Sequence, residues 1–172
     1  MTTDGTNVVQ ASTGAALDDI RHLMRAFVAW HRERHVDDLV LIDRYFDEAE
    51  FAAELAALPG KYAPPKGSLL VAYHNGKPAG CVALRGLGQG YCEMKRMFVP
   101  IGFRGLGVGR ALADHVIADA KAAGYSAMRL DTSKRQAEAM RLYEGFGFTR
   151  IEPYYDLPSD MRDWLVFFER KL

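Results

Sequence analysis

An α/β (α+β) fold, a mixed sheet carrying helices on both faces, is what this 172-residue chain predicts. Three observations carry the prediction: an apolar helical repeat near the start, a hairpin signal at Asn75-Gly76, and strand and helix patterns that alternate thereafter. The length is that of one domain, and 49% hydrophobic residues suffice for a sizeable core, so residues 1–172 are expected to form a single domain.

In chain order, TNVVQAS (6–12) reads as a first strand. Leu17, Ile20, Leu23, Met24, Phe27 and Trp30 then recur at three- and four-residue steps, the mark of one buried helical face. A second helix is expected from Asp43 or Asp47 to Leu58, with Asp47 and Glu50 at capping-box spacing and Pro59-Gly60 as its stop. KYAPPKG follows as a connector. SLLVAY and the segment Pro78 to Arg85 flank Asn75-Gly76, a dipeptide suited to the two positive φ angles of a tight hairpin turn. GLGQG (86–90) turns the chain into another strand, YCEMKRMFV (91–99). In a regular hairpin Cys81 faces about Lys95, so a bond between Cys81 and Cys92 is not expected. Further on, Leu112, Val116, Ala120 and Ala123 share a helical face that ends at Gly124. SAMRLDT reads as a buried strand, and residues 136–146 as a short helix with Ala139, Leu142, Tyr143 and Phe146 inward. FTRIEPYY and WLVFFERKL are the last two strands, giving the order βααβββαβαββ.

Composition excludes several function classes. Lys plus Arg (22) balance Asp plus Glu (22), so no overall charge points to nucleic acid or an anionic membrane as partner. No apolar stretch approaches the ~20 residues that cross a bilayer, and MTTDGTNVVQ lacks the parts of a signal peptide. Two cysteines without zinc spacing read as free thiols in a reducing compartment, and a cytoplasmic protein is expected. His31 and His35 are four apart, but HRERH is not HExxH and no third ligand is evident; a solvated helix end is expected there, with no metal.

The chemistry concentrates in FRGLGVGRAL (103–112). A Walker loop needs GxxxxGK[ST], which is absent, and a dinucleotide fingerprint beginning at Gly105 needs glycine where Arg110 stands. What remains is Arg104-Gly105-Leu106-Gly107-Val108-Gly109, an R-x-x-G-x-G string between a strand and a helix. Glycines let such a turn curl so that several amides and the first turn of the helix face one concavity, where a pyrophosphate would be held by backbone with Arg104 and Arg110 at the rim. Taken alone, the string fits an unliganded strand-to-helix turn equally well.

VPIGFRGLGVGRAL followed by RLDTSKRQAEAMRLYEGFGF resembles the acetyl-CoA signature of the GNAT superfamily of N-acetyltransferases, over nearly the whole chain. The second block ends in L-Y-x-x-x-G-F, formed by Leu142, Tyr143, Gly147 and Phe148. The resemblance implies the GNAT fold, a mixed and mostly antiparallel sheet of six to seven strands flanked by about four helices. It implies acetyl-CoA as co-substrate, with no metal, held by Met97, Phe98, Val99, residues 104–110 and Gln136. Gln136 stands where many members carry Asn, and Pro100 sits one place earlier than is common. The Met97 amide is implied as the donor to the thioester carbonyl. Glu93, eleven residues before Arg104, takes the position of the general base, and Tyr143 that of the general acid that protonates the leaving thiolate. A solvated strand glutamate and a core tyrosine are the plainer readings of those two residues.

Tyr154 and Tyr155, with Asp156, lie in a segment that borders the acceptor pocket in family members, and Lys95 or Arg96 would suit an acceptor carboxylate. For Lys134 and Arg135 contact with a CoA phosphate and a plain exposed basic loop are equally good readings. The expected function is acetyl transfer to the primary amine of a small molecule or amino-acid-like acceptor. A protein N-terminus or lysine, and a non-catalytic acyl-CoA sensor, are the rivals. Many members of the family pair, so a homodimer is also an expectation of the resemblance.

Overall fold

The computed structural model describes residues 5–172; residues 1–4, which begin the stretch read above for a signal peptide, lie outside it. One sheet runs in the order β1-β2-β3-β4-β5-β7-β6, formed by β1 (Thr6–Gln10), β2 (Ser68–His74), β3 (Lys77–Gly88), β4 (Tyr91–Phe98), β5 (Ala127–Ser133), β6 (Thr149–Ile151) and β7 (Leu165–Lys171). Its pairs are antiparallel except β4 with β5. The helices are α1 (Gly14–Arg34), α2 (Leu39–Tyr45), α3 (Glu48–Ala57), α4 (Val108–Ala122), α5 (Ala137–Gly145) and α6 (Ser159–Trp164).

Both faces of the sheet are covered. Leu69 and Val71 of β2 pack with Ile20, Leu23 and Met24 of α1 on one face, whereas Leu70 and Ala72 pack with Leu112 and Val116 of α4 on the other. A strand buried on both sides loses its polar alternation, which is why SLLVAY reads as a continuous apolar run. Asn75 and Gly76 take φ of 50° and 78°, as the hairpin dipeptide predicts. Asp47 accepts a hydrogen bond from the Glu50 amide at 3.0 Å, so one half of the capping box forms.

Four expectations need correction. The helices number six, not about four, because α2 and α6 bury only one or two side chains each and are too short to show a period. The strand expected over FTRIEPYY is only Thr149–Ile151, with Tyr154 and Tyr155 in a loop beyond Pro153. Ala123 is exposed, because α4 ends at Ala122 and the chain turns away at Gly124.

The fourth concerns register. Cys81 faces Phe98 rather than Lys95, which pairs with Ala83. The register is shifted first because β3 runs on to Gly88 and the turn lies at Gln89-Gly90, and a β-bulge with Arg96 at φ 57° then adds one further residue. Cys81 donates to the Arg96 carbonyl at 3.3 Å, and both cysteines are buried free thiols.

Candidate active site

α4 begins at Gly107, whose φ of 79° is repeated at Gly105; a side chain at either would be strained. No side chain caps the helix, and its first bond runs from the Ala111 amide to the Gly107 carbonyl. The amides of Val108, Gly109 and Arg110 are therefore left without a helical acceptor, at the positive end of the helix dipole. They border a groove of about 470 Å³ between the glycine turn, the C-terminal half of α1 and the start of α5. Arg34, Arg104, Arg110, Arg135 and Arg141 line it against a single carboxylate, Glu138, among the described residues. That donor set suits a pyrophosphate.

Arg104 is positioned by its own hydrogen bond to the Val99 carbonyl at 2.9 Å and lies 4.7 Å over the Trp30 ring. Arg135 reaches Asp38 at 3.0 Å while lining the groove. Met97, Phe98, Val99, Gly105, Gly107, Val108, Gly109 and Gln136 line it too. Leu106 does not, being 45% exposed, and Lys134 is exposed outside the lining.

Between the groove and the rest of the site the sheet splits. Tyr91, Cys92 and Glu93 pair with Ala127, Met128 and Arg129, and there the β4–β5 ladder stops, although β4 runs on to Phe98 and β5 to Ser133. The edge of β4 from Met94 onward thus faces β5 without a strand partner, an opening that accepts an extended chain as β-strands do. A small cavity of about 40 Å³ occupies this wedge, bordered by Lys95, Met97, Asp131, Gln136 and Tyr143.

Gln136 is tied down on its other side. Its side-chain amide lies 2.8 Å from His31 Nε2. His31 is 2% exposed, so the solvated helix end expected for the pair does not hold for it, and no group of three metal-ligating side chains forms among the described residues. Burial, helped by the charge of His35, lowers the His31 pKa to about 4. An imidazole kept neutral in the fold and protonated in the unfolded chain below ~6.5 stabilises fully above that pH. That contribution, roughly 3 kcal/mol, is lost as pH falls from 6.5 towards 4. Urea titrations of His31→Gln are expected to show a flatter acid limb over that window than those of wild type.

At the last paired rung stands Glu93, 1% exposed. It is no solvated strand residue: Arg85 Nε donates to one carboxylate oxygen at 2.8 Å, Tyr154 donates to the other at 2.5 Å, and Lys95 Nζ lies 3.9 Å away. A buried carboxylate demands such partners. It borders a cavity of about 520 Å³ walled also by Tyr154, Tyr155, Lys95 and Arg96. Arg96 is committed there to Glu54 through two nitrogens, at 2.9 and 3.2 Å. Asp156 is exposed and does not line the cavity.

Tyr143 is 6% exposed, wedged between Phe148 and Phe168 at ring distances of 6.1 and 6.2 Å. Burial first, then the nearby Asp131 charge, hold its phenol well above the ordinary tyrosine pKa. It is both the core residue that helical spacing indicates and a lining residue of the wedge.

Sequence reasoning missed the carboxylate of the wedge, Asp131. Asp131 accepts hydrogen bonds from Tyr45 at 2.5 Å and from Tyr155, with Lys95 Nζ at 3.8 Å. Tyr45 and Lys95 are themselves joined at 2.9 Å. Tyr45 comes from α2, the helix the periodicity did not reveal. Arg85 and Arg129, which flank Glu93 on the neighbouring strands, were also missed, because only the register brings them together.

A family model for the acetyltransferase (GNAT) family matches residues 20–148. An uncharacterized N-acetyltransferase of Schizosaccharomyces pombe is 46% identical over 107 residues, covering 61% of this chain and 66% of that protein, slightly less than two thirds of its length. An IAA acetyltransferase of Azospirillum brasilense is 37% identical over 118 residues, covering 68% of this chain and 74% of its own. Among solved structures, a PaiA N-acetyltransferase of Thermoplasma acidophilum in complex with coenzyme A superposes with a TM-score of 0.71 over 97% of this chain and 99% of its own, at 14% identity. This chain belongs to the GNAT family of acetyltransferases.

Proposed function

We propose that this protein transfers the acetyl group of acetyl-CoA to the primary amine of a small molecule by direct attack, without a covalent enzyme intermediate. One observation supports the reading: the phosphate-type groove, the wedge and the acceptor-side cavity lie side by side along β4 and share walls. The wedge shares Met97 and Gln136 with the groove, and Tyr45, Lys95 and Arg96 with the cavity. Acetyl-CoA supplies the thioester. Arg104, Gly105 and residues 107–110 grip its pyrophosphate, the open edge of β4 aligns its pantetheine arm, and the Met97 amide polarises the carbonyl that becomes an oxyanion.

An alkyl ammonium with a pKa near ~10.4 must lose a proton before it attacks. Glu93 takes it, directly or through a water, and Tyr143 returns a proton to the departing sulfur. The cavity's volume suits a small acceptor, and the Azospirillum relative is named for the acetylation of IAA, not of a protein.

Acetyl-CoA at about a hundred times its Kd is expected to stabilise the protein by roughly 2.7 kcal/mol, visible as a rise in Tm. Gly107→Ala, strained at φ 79°, should still fold yet lose most of that rise. Thiol release against a panel of amines and peptides then tests transfer. Absence of any Tm rise at millimolar acetyl-CoA overturns the cofactor assignment, and thiol release only with peptides overturns the small acceptor.

A further inference from the structure

A row of alternating charges crosses the sheet on the acceptor side. Arg85 of β3 faces Glu93 of β4, Glu93 faces Arg129 of β5, and Arg129 faces Glu169 of β7. Each guanidinium uses its Nε for a carboxylate, Arg85 to Glu93 and Arg129 to Glu169, both at 2.8 Å. Among the described residues neither arginine places a terminal nitrogen in a protein hydrogen bond. Both line the acceptor-side cavity, with side chains 34% and 22% exposed.

Arg129 is also fixed in orientation, with its guanidinium 3.7 Å over the Tyr91 ring and 5.3 Å over that of Tyr154. Five cationic side chains border the cavity (Arg44, Arg85, Lys95, Arg96 and Arg129), and Glu93 is the one carboxylate among its described lining. The anions nearest the others, Asp160, Asp131, Glu54 and Glu169, stand outside that lining. The cavity therefore presents positive charge to whatever enters it, with planar donor forks on both sides of the base.

We propose that the acceptor is an amino acid, its carboxylate bound by the terminal nitrogens of Arg129 and Arg85 while its amine faces Glu93. The inference rests on the acetyl-transfer reading for the role of Glu93, but its charge argument does not. Neighbouring strands lie ~4.8 Å apart, so the carboxylate fork is one rung from the base. Amine and carboxylate must then be close neighbours in the acceptor, as in α- and β-amino acids. A cationic polyamine would meet the same arginines and be repelled.

The test compares glycine, β-alanine, aspartate and glutamate with their methyl esters, which keep the amine and remove the negative charge. Calorimetric titration of the protein saturated with CoA reads binding without turnover, and thiol release from acetyl-CoA reads transfer. The acids are expected to bind at least tenfold more tightly than their esters, with that preference reduced about tenfold in Arg129→Gln and partly kept in Arg129→Lys. In steady state the loss should fall on the KM for the acceptor, not on kcat. Arg85→Gln serves as the second variant should Arg129→Gln fail to fold.

Acids that bind through Arg129 but release no thiol would sustain the carboxylate site and overturn acetyl transfer. Esters that bind or react as well as the acids, or no binding of any acid at 10 mM (about the weak limit of a specific small-ligand site), would overturn the carboxylate site whatever the thiol assay shows.

Discussion

Glu93→Gln is expected to slow acetyl transfer by roughly 10²- to 10³-fold while leaving the binding of acetyl-CoA intact. Glutamine has the shape of the residue it replaces and keeps an acceptor oxygen for Arg85 or Tyr154, so the rung around position 93 stays filled. What it cannot do is accept a proton from an ammonium. The deficit should narrow as pH rises towards the amine's own pKa of ~10.4, because bulk water then supplies the free base. A residue that merely braces the sheet would give a deficit without that pH trend. Equal thiol release by wild type and variant at neutral pH would remove Glu93 from the mechanism.

Tyr143→Phe is expected to reduce kcat by about 10²-fold with little change in the KM for acetyl-CoA. The ring contacts with Phe148 and Phe168 survive the substitution, so stability should shift little. A phenol carries its proton throughout the working pH range, as an acid that protonates a thiolate must, and burial, which raises its pKa, keeps it in that form. Wild-type turnover by the Phe variant would leave Tyr143 with its packing role alone.

Much of this site was legible before any coordinates, and the reasons are local. R-x-x-G-x-G announces itself because a turn at positive φ followed by a helix start demands glycine at 105 and 107. Asn75-Gly76 is legible for the same reason. The strand order was not, and neither was the pairing of Arg85 and Arg129 with Glu93, because a rung across three strands depends on register and leaves no trace in any short window. α2 was hidden by its length, and with it Tyr45, the residue that links Lys95 to Asp131. The acceptor side of the site was thus the less readable half, being assembled from residues distant in sequence, whereas the cofactor side lies mostly between positions 97 and 110.

The irregularity at Arg96 decides which molecule each end of β4 can serve. Up to Lys95 the odd-numbered side chains point towards α1, and past the kink the even-numbered ones do, so Phe98 joins the α1 core and Met97 packs on the opposite layer. Had the strand continued unbroken, Phe98 would leave that core and Met97 would enter it. One inserted residue lets a single ribbon present charged groups at its start and a bare peptide edge at its end, the two surfaces that the proposed transfer requires. Shortening the chain there by one position would exchange these two surfaces and separate the reacting partners, though every functional side chain remained in the sequence.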